Sequence, residues 1–194
     1  MAEREIVGMY LGMTAKKRMD FIYKNYRNFN YISDAYMDSV TEMIACIREC
    51  ERRHEEDDLG VRVQTSQSLS SITEQRAFEH ILIKEALDNN LITDSLIEDA
   101  EERERVSVAI FEWNLMKSEY EIFNKQMKAL KPENYEIVKE YISRRKSIGD
   151  LADEYNIEPE SMKVRLHRIK GILIDGIIPF LKDYEFNRKL MQVG

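Results

Sequence analysis

Three prolines and seven glycines in 194 residues leave this chain few places to turn sharply. Such scarcity argues against a fold of many short strands and for long helices. Two cysteines are too few for a disulfide framework. No apolar run approaches the roughly 18 residues of a membrane span. The opening MAEREIVGMYLGM has no basic stretch followed by an apolar one. Neither membrane insertion nor secretion is indicated, and a cytoplasmic protein is expected. Also missing are a glycine-rich phosphate loop and a nucleophile elbow. HEEDD at 54–58 has no second histidine four residues on, so the zinc-protease pattern fails. Neither an enzyme nor a cofactor is expected.

What is present is charge, unevenly spread. Lys and Arg number 29 against 36 Asp and Glu, a formal net charge of −7. Residues 131–194 hold 12 basic and 11 acidic side chains, whereas residues 1–130 hold 17 and 25. The acidity gathers at EEDD (55–58) and EDAEERERV (98–106), which read as solvated helix faces. Any DNA-binding role therefore belongs to the last third.

Apolar residues at helical spacing (Met19, Ile22, Tyr23, Tyr26, then Met37, Val40, Ile44, Ile47) predict helices over 14–29 and 34–56. GVRVQTSQSLSS at 60–71 reads as a loop. Ser71 and Glu74 have capping-box spacing, so a helix is expected to run from there to about Asn89, followed by the connector NNLITD. Ala109, Trp113, Met116, Tyr120, Phe123, Met127 and Leu130 then form an unbroken 4-3 seam. That seam packs within the chain, or else makes a homodimer through 109–130. Pro132 ends the helix, which sets the boundary between an N-terminal module (1–130) and a C-terminal domain (131–194).

Two other clusters invite function. KKRMDFIYKNYRNFNYI (16–32) interleaves cations with aromatics, as single-strand binders do, but the aromatics fall on the apolar stripe and core packing is expected. Cys46, Cys50 and His54 share a helix face, yet zinc prefers four ligands. A buried cysteine pair is expected there, with no metal.

The C-terminal domain divides into three short helices. Pro132 opens the first, with Ile137, Val138, Tyr141 and Ile142 inward. Ser147 caps the second, with Asp150 three residues on and Leu151, Ala152 and Tyr155 inward. Asn156 sits where a tight turn needs a positive φ. Pro159 opens the third, whose buried stripe is Met162, Leu166, Ile169 and Leu173. Its opposite face carries Glu160, Ser161, Val164, His167 and Arg168, flanked by Lys163, Arg165 and Lys170. The layout is that of a helix-turn-helix, whose last helix fits the DNA major groove.

LKPENYEIVKEYISRRKSIGDLADEYNIEPESMKVRLHRIKGIL (130–173) resembles region four of bacterial sigma factors of the extracytoplasmic-function type. It is also similar to the C-terminal domains of phage regulators of the ArpU/RinA kind. The overall arrangement of long helices, loop and terminal helix-turn-helix is similar to the latter. The chain departs from the pattern at Asn156, for a turn glycine, and at Glu158, for a serine. The resemblance implies that Ser161, Lys163, Val164, Arg165, His167 and Arg168 lie at DNA. Glu160 on the same face, and Arg144, Arg145 and Ser147 ahead of the second helix, complete the expected DNA-binding set.

The expectation is an all-α protein: an N-terminal helical module, a long connecting helix and a C-terminal helix-turn-helix that binds double-stranded DNA as a transcriptional regulator. An alternative sigma factor that recruits RNA polymerase is the first alternative. A helical protein-interaction module is the second.

Overall fold

The computed structural model describes residues 10, 12–58, 77, 80–87 and 96–191, without the side chains of 54–58 and 182–191. Six helices carry the labels used below: α1 (Ala15–Asn25), α2 (Phe29–Asp58), α3 (Ala100–Lys128), α4 (Pro132–Ile142), α5 (Ile148–Glu154) and α6 (Pro159–Met191). A single 3-10 turn, Tyr26–Asn28, joins α1 to α2, and residues 80–87 are helical. No strand occurs among the described residues, so the fold class is all-α. No helix among them is long and apolar enough to cross a membrane.

The chain forms two compact units, one of Met1–Ser33 with Leu115–Gly194 and one of Asp34–Asn114. The divisions fall inside α2 and α3, whereas the sequence boundary at Lys131–Pro132 marks a break between helices. Proline's missing N–H does stop α3 and start α4 there, with Pro132 in the first turn. A helix break and a division of the core are different things, because packing between distant segments is invisible to a local stop signal.

In the first unit, α1 packs on α6 and α4, and α6 also packs on α5. Met19 and Ile22 of α1, Phe123 and Met127 of α3, Ile137 of α4 and the α6 stripe are all buried. Each such side chain contributes about 1.5–3 kcal/mol by leaving water. Rings from separate segments lock together: Tyr10 meets Phe21 edge-on at 5.6 Å, and Phe29 stacks on Tyr120 at 5.0 Å. Beneath them Arg18 and Glu119 form a buried ion pair. Arg18 Nε donates to both carboxylate oxygens at 2.9 and 3.0 Å, Nη2 lies 2.8 Å from Oε1, and Nη1 donates to the Met13 carbonyl at 2.9 Å. The Tyr10 hydroxyl donates to the same carboxylate. Of the aromatic and basic run 16–32, Arg18, Met19, Ile22, Tyr23 and Phe29 are buried, Phe21 and Tyr26 partly so, and Tyr31 and the remaining cations are exposed.

In the second unit, Met37, Val40 and Ile44 of α2 meet Ile83, Leu87, Ile97, and Val106, Ile110 and Trp113 of α3. Asp99 caps α3, accepting from the amides of Glu101 and Glu102 at 2.8 and 2.9 Å. Glu51 reaches across to accept from the amides of Glu98 and Asp99 at 2.9 and 3.1 Å.

Three expectations change. First, α2 begins at Phe29, five residues early, because the 3-10 turn carries the chain onward and Ser33 is buried inside the helix. Second, Cys46 and Cys50 are exposed, since Val40, Ile44 and partly Ile47 form the inward stripe of α2 and the cysteines lie off it. Third, α6 continues through Pro179 to Met191, its inward stripe prolonged by Ile177 and Leu181. The 4-3 seam is consumed within the chain, Trp113 in the second unit and Met116, Phe123 and Met127 in the first. The 60–71 loop, the Ser71–Glu74 cap and the NNLITD connector lie outside the described residues.

Candidate nucleic-acid interface

The segment 132–173 folds locally as its sequence dictates. The Ser147 hydroxyl accepts from the Asp150 amide at 3.2 Å while the Asp150 carboxylate accepts from the Ser147 amide at 2.8 Å, a reciprocal capping box. Those bonds, the backbone one foremost, hold the Asp150 carboxyl below the usual carboxylate range.

Both short helices end in the same way. At the end of α4 the Arg145 amide donates to Glu140 O at 3.0 Å and the Arg144 amide to Tyr141 O at 3.0 Å. At the end of α5 the Ile157 amide donates to Ala152 O at 3.0 Å and the Asn156 amide to Asp153 O at 3.2 Å. These are paired Schellman bonds, which require a left-handed residue where glycine is the usual occupant. Asn156 takes it with φ 50°, as its sequence position predicts. Arg144 takes the other with φ 54°, and nothing in the sequence announces that.

On α6, Met162, Leu166, Ile169 and Leu173 are buried. This anchoring turns Glu160, Ser161, Val164, His167 and Arg168 outward, and all five are exposed. Arg168 and His167 have no polar or charged partner among the described residues. Lys163 is exposed, 3.4 Å from Glu160. Ser147, Arg144 and Arg145 are also exposed, with Arg145 3.5 Å from Glu140.

Arg165 differs from the rest of the expected set. Its guanidinium lies 2.8 Å from a Glu133 carboxylate oxygen and 3.3 Å from the Asn134 side-chain oxygen. It also sits 5.5 Å from the Tyr155 ring centroid. It ties α6 to α4 and is half-buried, so its charge is spent within the unit. Lys170 is similarly engaged, paired with Asp20 of α1 and lying 4.9 Å over the Tyr23 ring. Burial raises the Asp20 carboxyl, and Lys170 and Lys24 more than reverse this, leaving it below its ordinary value.

Sequence reading expected α1 as a helix but not its packing against α6. Its Lys24 lies 2.8 Å from Asp20 beside the base of α6. Only the apolar spacing of Met19, Ile22 and Tyr23 signalled that α1 had something to pack on, and spacing names no partner. No group of three metal-ligating side chains occurs among the described residues.

Compared with models of protein families, with curated proteins and with solved structures, the chain matches none.

Proposed function

We propose that the chain is a sequence-specific DNA-binding transcriptional regulator of the phage or mobile-element kind, working in the cytoplasm. The observation that carries this reading is α6. It is anchored by one apolar stripe and exposes Ser161, Val164, His167 and Arg168 on the other side. A helix about 10–12 Å across fits the major groove. There Arg168 would bond guanine edges, Ser161 would bond either base type, and the Val164 methyls would meet thymine methyl groups. Lys163, Arg144 and Arg145 would neutralise phosphates and fix the register. Glu160 would accept from a cytosine amino group.

The test is selection from a random duplex pool, followed by fluorescence anisotropy on the selected and scrambled duplexes. Arg168→Ala and Ser161→Ala should each cost roughly 1–3 kcal/mol on the selected site and little on the scrambled one. Enrichment of no sequence would overturn the reading. Transcription with core RNA polymerase alone tests the polymerase partnership. Initiation without another sigma factor would make the chain a sigma factor.

One observation favours a second reading. Val164 and Ile172 are each 53% exposed on α6, and eight residues apart they lie within about 80° on the helix. A partner protein would cover them as an apolar strip. In that case Val164→Ala and Ile172→Ala together would leave DNA binding unchanged and abolish the partner complex.

A further inference from the structure

The expected DNA-binding set omits the helix lying beside it. Two adjoining open cavities of about 560 and 250 Å³ run along the junction of α1 with α4, the α4–α5 turn and α6. They share Tyr23, Lys24 and Tyr141, so they form one elongated groove. Its larger end is lined by Arg144, Arg145 and Lys146, and its smaller end by Lys163, His167 and Lys170. Lys24 is common to both. Asp150 is the single carboxylate among the described residues of the lining, and its charge is directed at the Ser147 amide.

These cations are not equally available. Lys146 pairs with Glu154 at 2.6 Å, Arg145 with Glu140 at 3.5 Å, and Lys24 and Lys170 share Asp20. Arg144 has no side-chain partner among the described residues. It also occupies the left-handed position closing α4, where a non-glycine residue costs about 1–2 kcal/mol. An arginine held at that cost, exposed and unpaired at the rim of a cationic groove, points to a role for its side chain outside the fold.

We propose that this groove holds a phosphodiester strand of the duplex that α6 reads, which makes α1 part of the DNA interface. The proposal rests on the DNA-binding reading above. A strand suits the site better than a compact anion, because the groove is open and long and its cations come from three separate segments. Phosphates spaced along one strand can meet Lys24, Arg144 and Lys163 in turn. Exposed pairs such as Lys24–Asp20 are weak enough to exchange partners.

The experiment is fluorescence anisotropy with a duplex of about 30 base pairs of arbitrary sequence across a salt series, since phosphate contacts weaken all sequences alike. The groove variant is Lys24→Gln with Arg144→Gly. Glycine accepts φ 54°, so this variant keeps the turn, and a thermal melt confirms it. The control is Lys17→Gln with Lys128→Gln, which removes the same charge from exposed positions outside the groove. The groove variant should flatten the slope of log K against log salt by about 1.8, at 0.9 for each lost contact, and the control should leave it unchanged. Lys24→Gln alone with the wild-type slope overturns the groove while the DNA-binding reading, to which Arg144 already belongs, stands. An equal flattening in both reduces the effect to net charge and also overturns it. Wild type that binds no duplex at low salt overturns the reading and the groove together. Tighter, groove-dependent binding to a single strand of the same length removes the duplex as occupant.

Discussion

In the unit drawn from two separate stretches of chain, Arg18 and Glu119 lie 3% and 1% exposed and 101 residues apart. In the 34–114 unit ion pairs such as Lys84 and Asp38 at 3.2 Å sit at the surface, and the buried cluster is aliphatic apart from Met37 and Trp113. Thr41 is its one buried polar residue among those described, and it satisfies itself on the Met37 carbonyl at 3.0 Å. A continuous stretch brings its apolar faces together whenever its helices fold back. A unit made of two stretches must also choose which distant segments meet. A buried carboxylate that accepts from Arg18 and Tyr10 together tolerates one arrangement of those segments, whereas an aliphatic contact tolerates several. Polar burial is a poor source of net stability but can specify register. Specification therefore falls to the first unit and simple burial to the second.

The largest effect should come from cutting the chain. A fragment of residues 34–114 keeps its whole apolar cluster and should melt cooperatively. A fragment of residues 129–194 retains the α6 stripe but loses Met19, Ile22 and Tyr23 that cover it, and should give a broad, featureless melt. A cooperative transition in the 129–194 fragment near that of the full chain would show that α1 merely decorates the unit.

Next in size is the buried pair. Glu119→Ala strips the buried Arg18 guanidinium of its counter-charge and should cost about 3–5 kcal/mol in urea unfolding. Arg18→Met with Glu119→Leu and Tyr10→Phe removes charge and hydroxyl together and should be close to neutral in stability. If the triad specifies register, the triple variant should still lose dispersion in its amide NMR spectrum within the first unit. A triple variant with native dispersion would reduce the triad to a tolerated burden. Phe123→Glu, on the seam that also suggested a dimer, should unfold this unit, since Phe123 is wholly buried within one chain.

How much of this was legible in the sequence follows the same division. Pro132, Ser147, Asp150, Asn156 and Pro159 are local signals, each acting within about five residues, and each appears where its chemistry put it. The outward face of α6 followed from a period of 3.6 and was equally readable. The engagement of Arg165 was not legible because Glu133 lies 32 positions away, and a helical wheel shows direction without neighbours. Glu119 gave no sign at all. In sequence it is one acid among many on a charged helix, and only Arg18 and Tyr10 distinguish it. The left-handed Arg144 was hidden because arginine is a poor occupant there, so the residue type argued against the geometry.

Alkaline pH should separate the units by a smaller margin. Burial, then the Glu119 charge, raises the Tyr10 phenol well above its ordinary value, and burial does the same for Tyr23. Tyr26 is pushed up to about 12, again mainly by burial. In the second unit, burial and Glu112, whose carboxylate accepts from its hydroxyl at 3.0 Å, raise Tyr36. A folded pKa above the unfolded value gives stability that is complete below about pH 10 and is lost as pH rises through the folded values. The first unit, with three such groups against one, should lose stability faster from about pH 10 upward, read by near-ultraviolet circular dichroism. Tyr23→Phe should shallow that loss. Equal losses in the two units, resolved by residue-specific NMR, would show that these phenols do not distinguish them.

The smallest effect tests the two Schellman positions against each other. Both hold a left-handed non-glycine residue, but Asn reaches that region through local hydrogen bonding while Arg has no such help. Relief of roughly 1–2 kcal/mol is available at Arg144, against about 0.5–1 kcal/mol lost because glycine frees the unfolded chain. Arg144→Gly should therefore raise stability by about 0.5 kcal/mol, and Asn156→Gly should change it by only a few tenths. Paired urea melts at neutral pH measure both. If Arg144→Gly is instead destabilising, its side chain holds the turn through contacts within the unit. The reason for an arginine at that position would then be structural, and the cationic rim would lose its most available member.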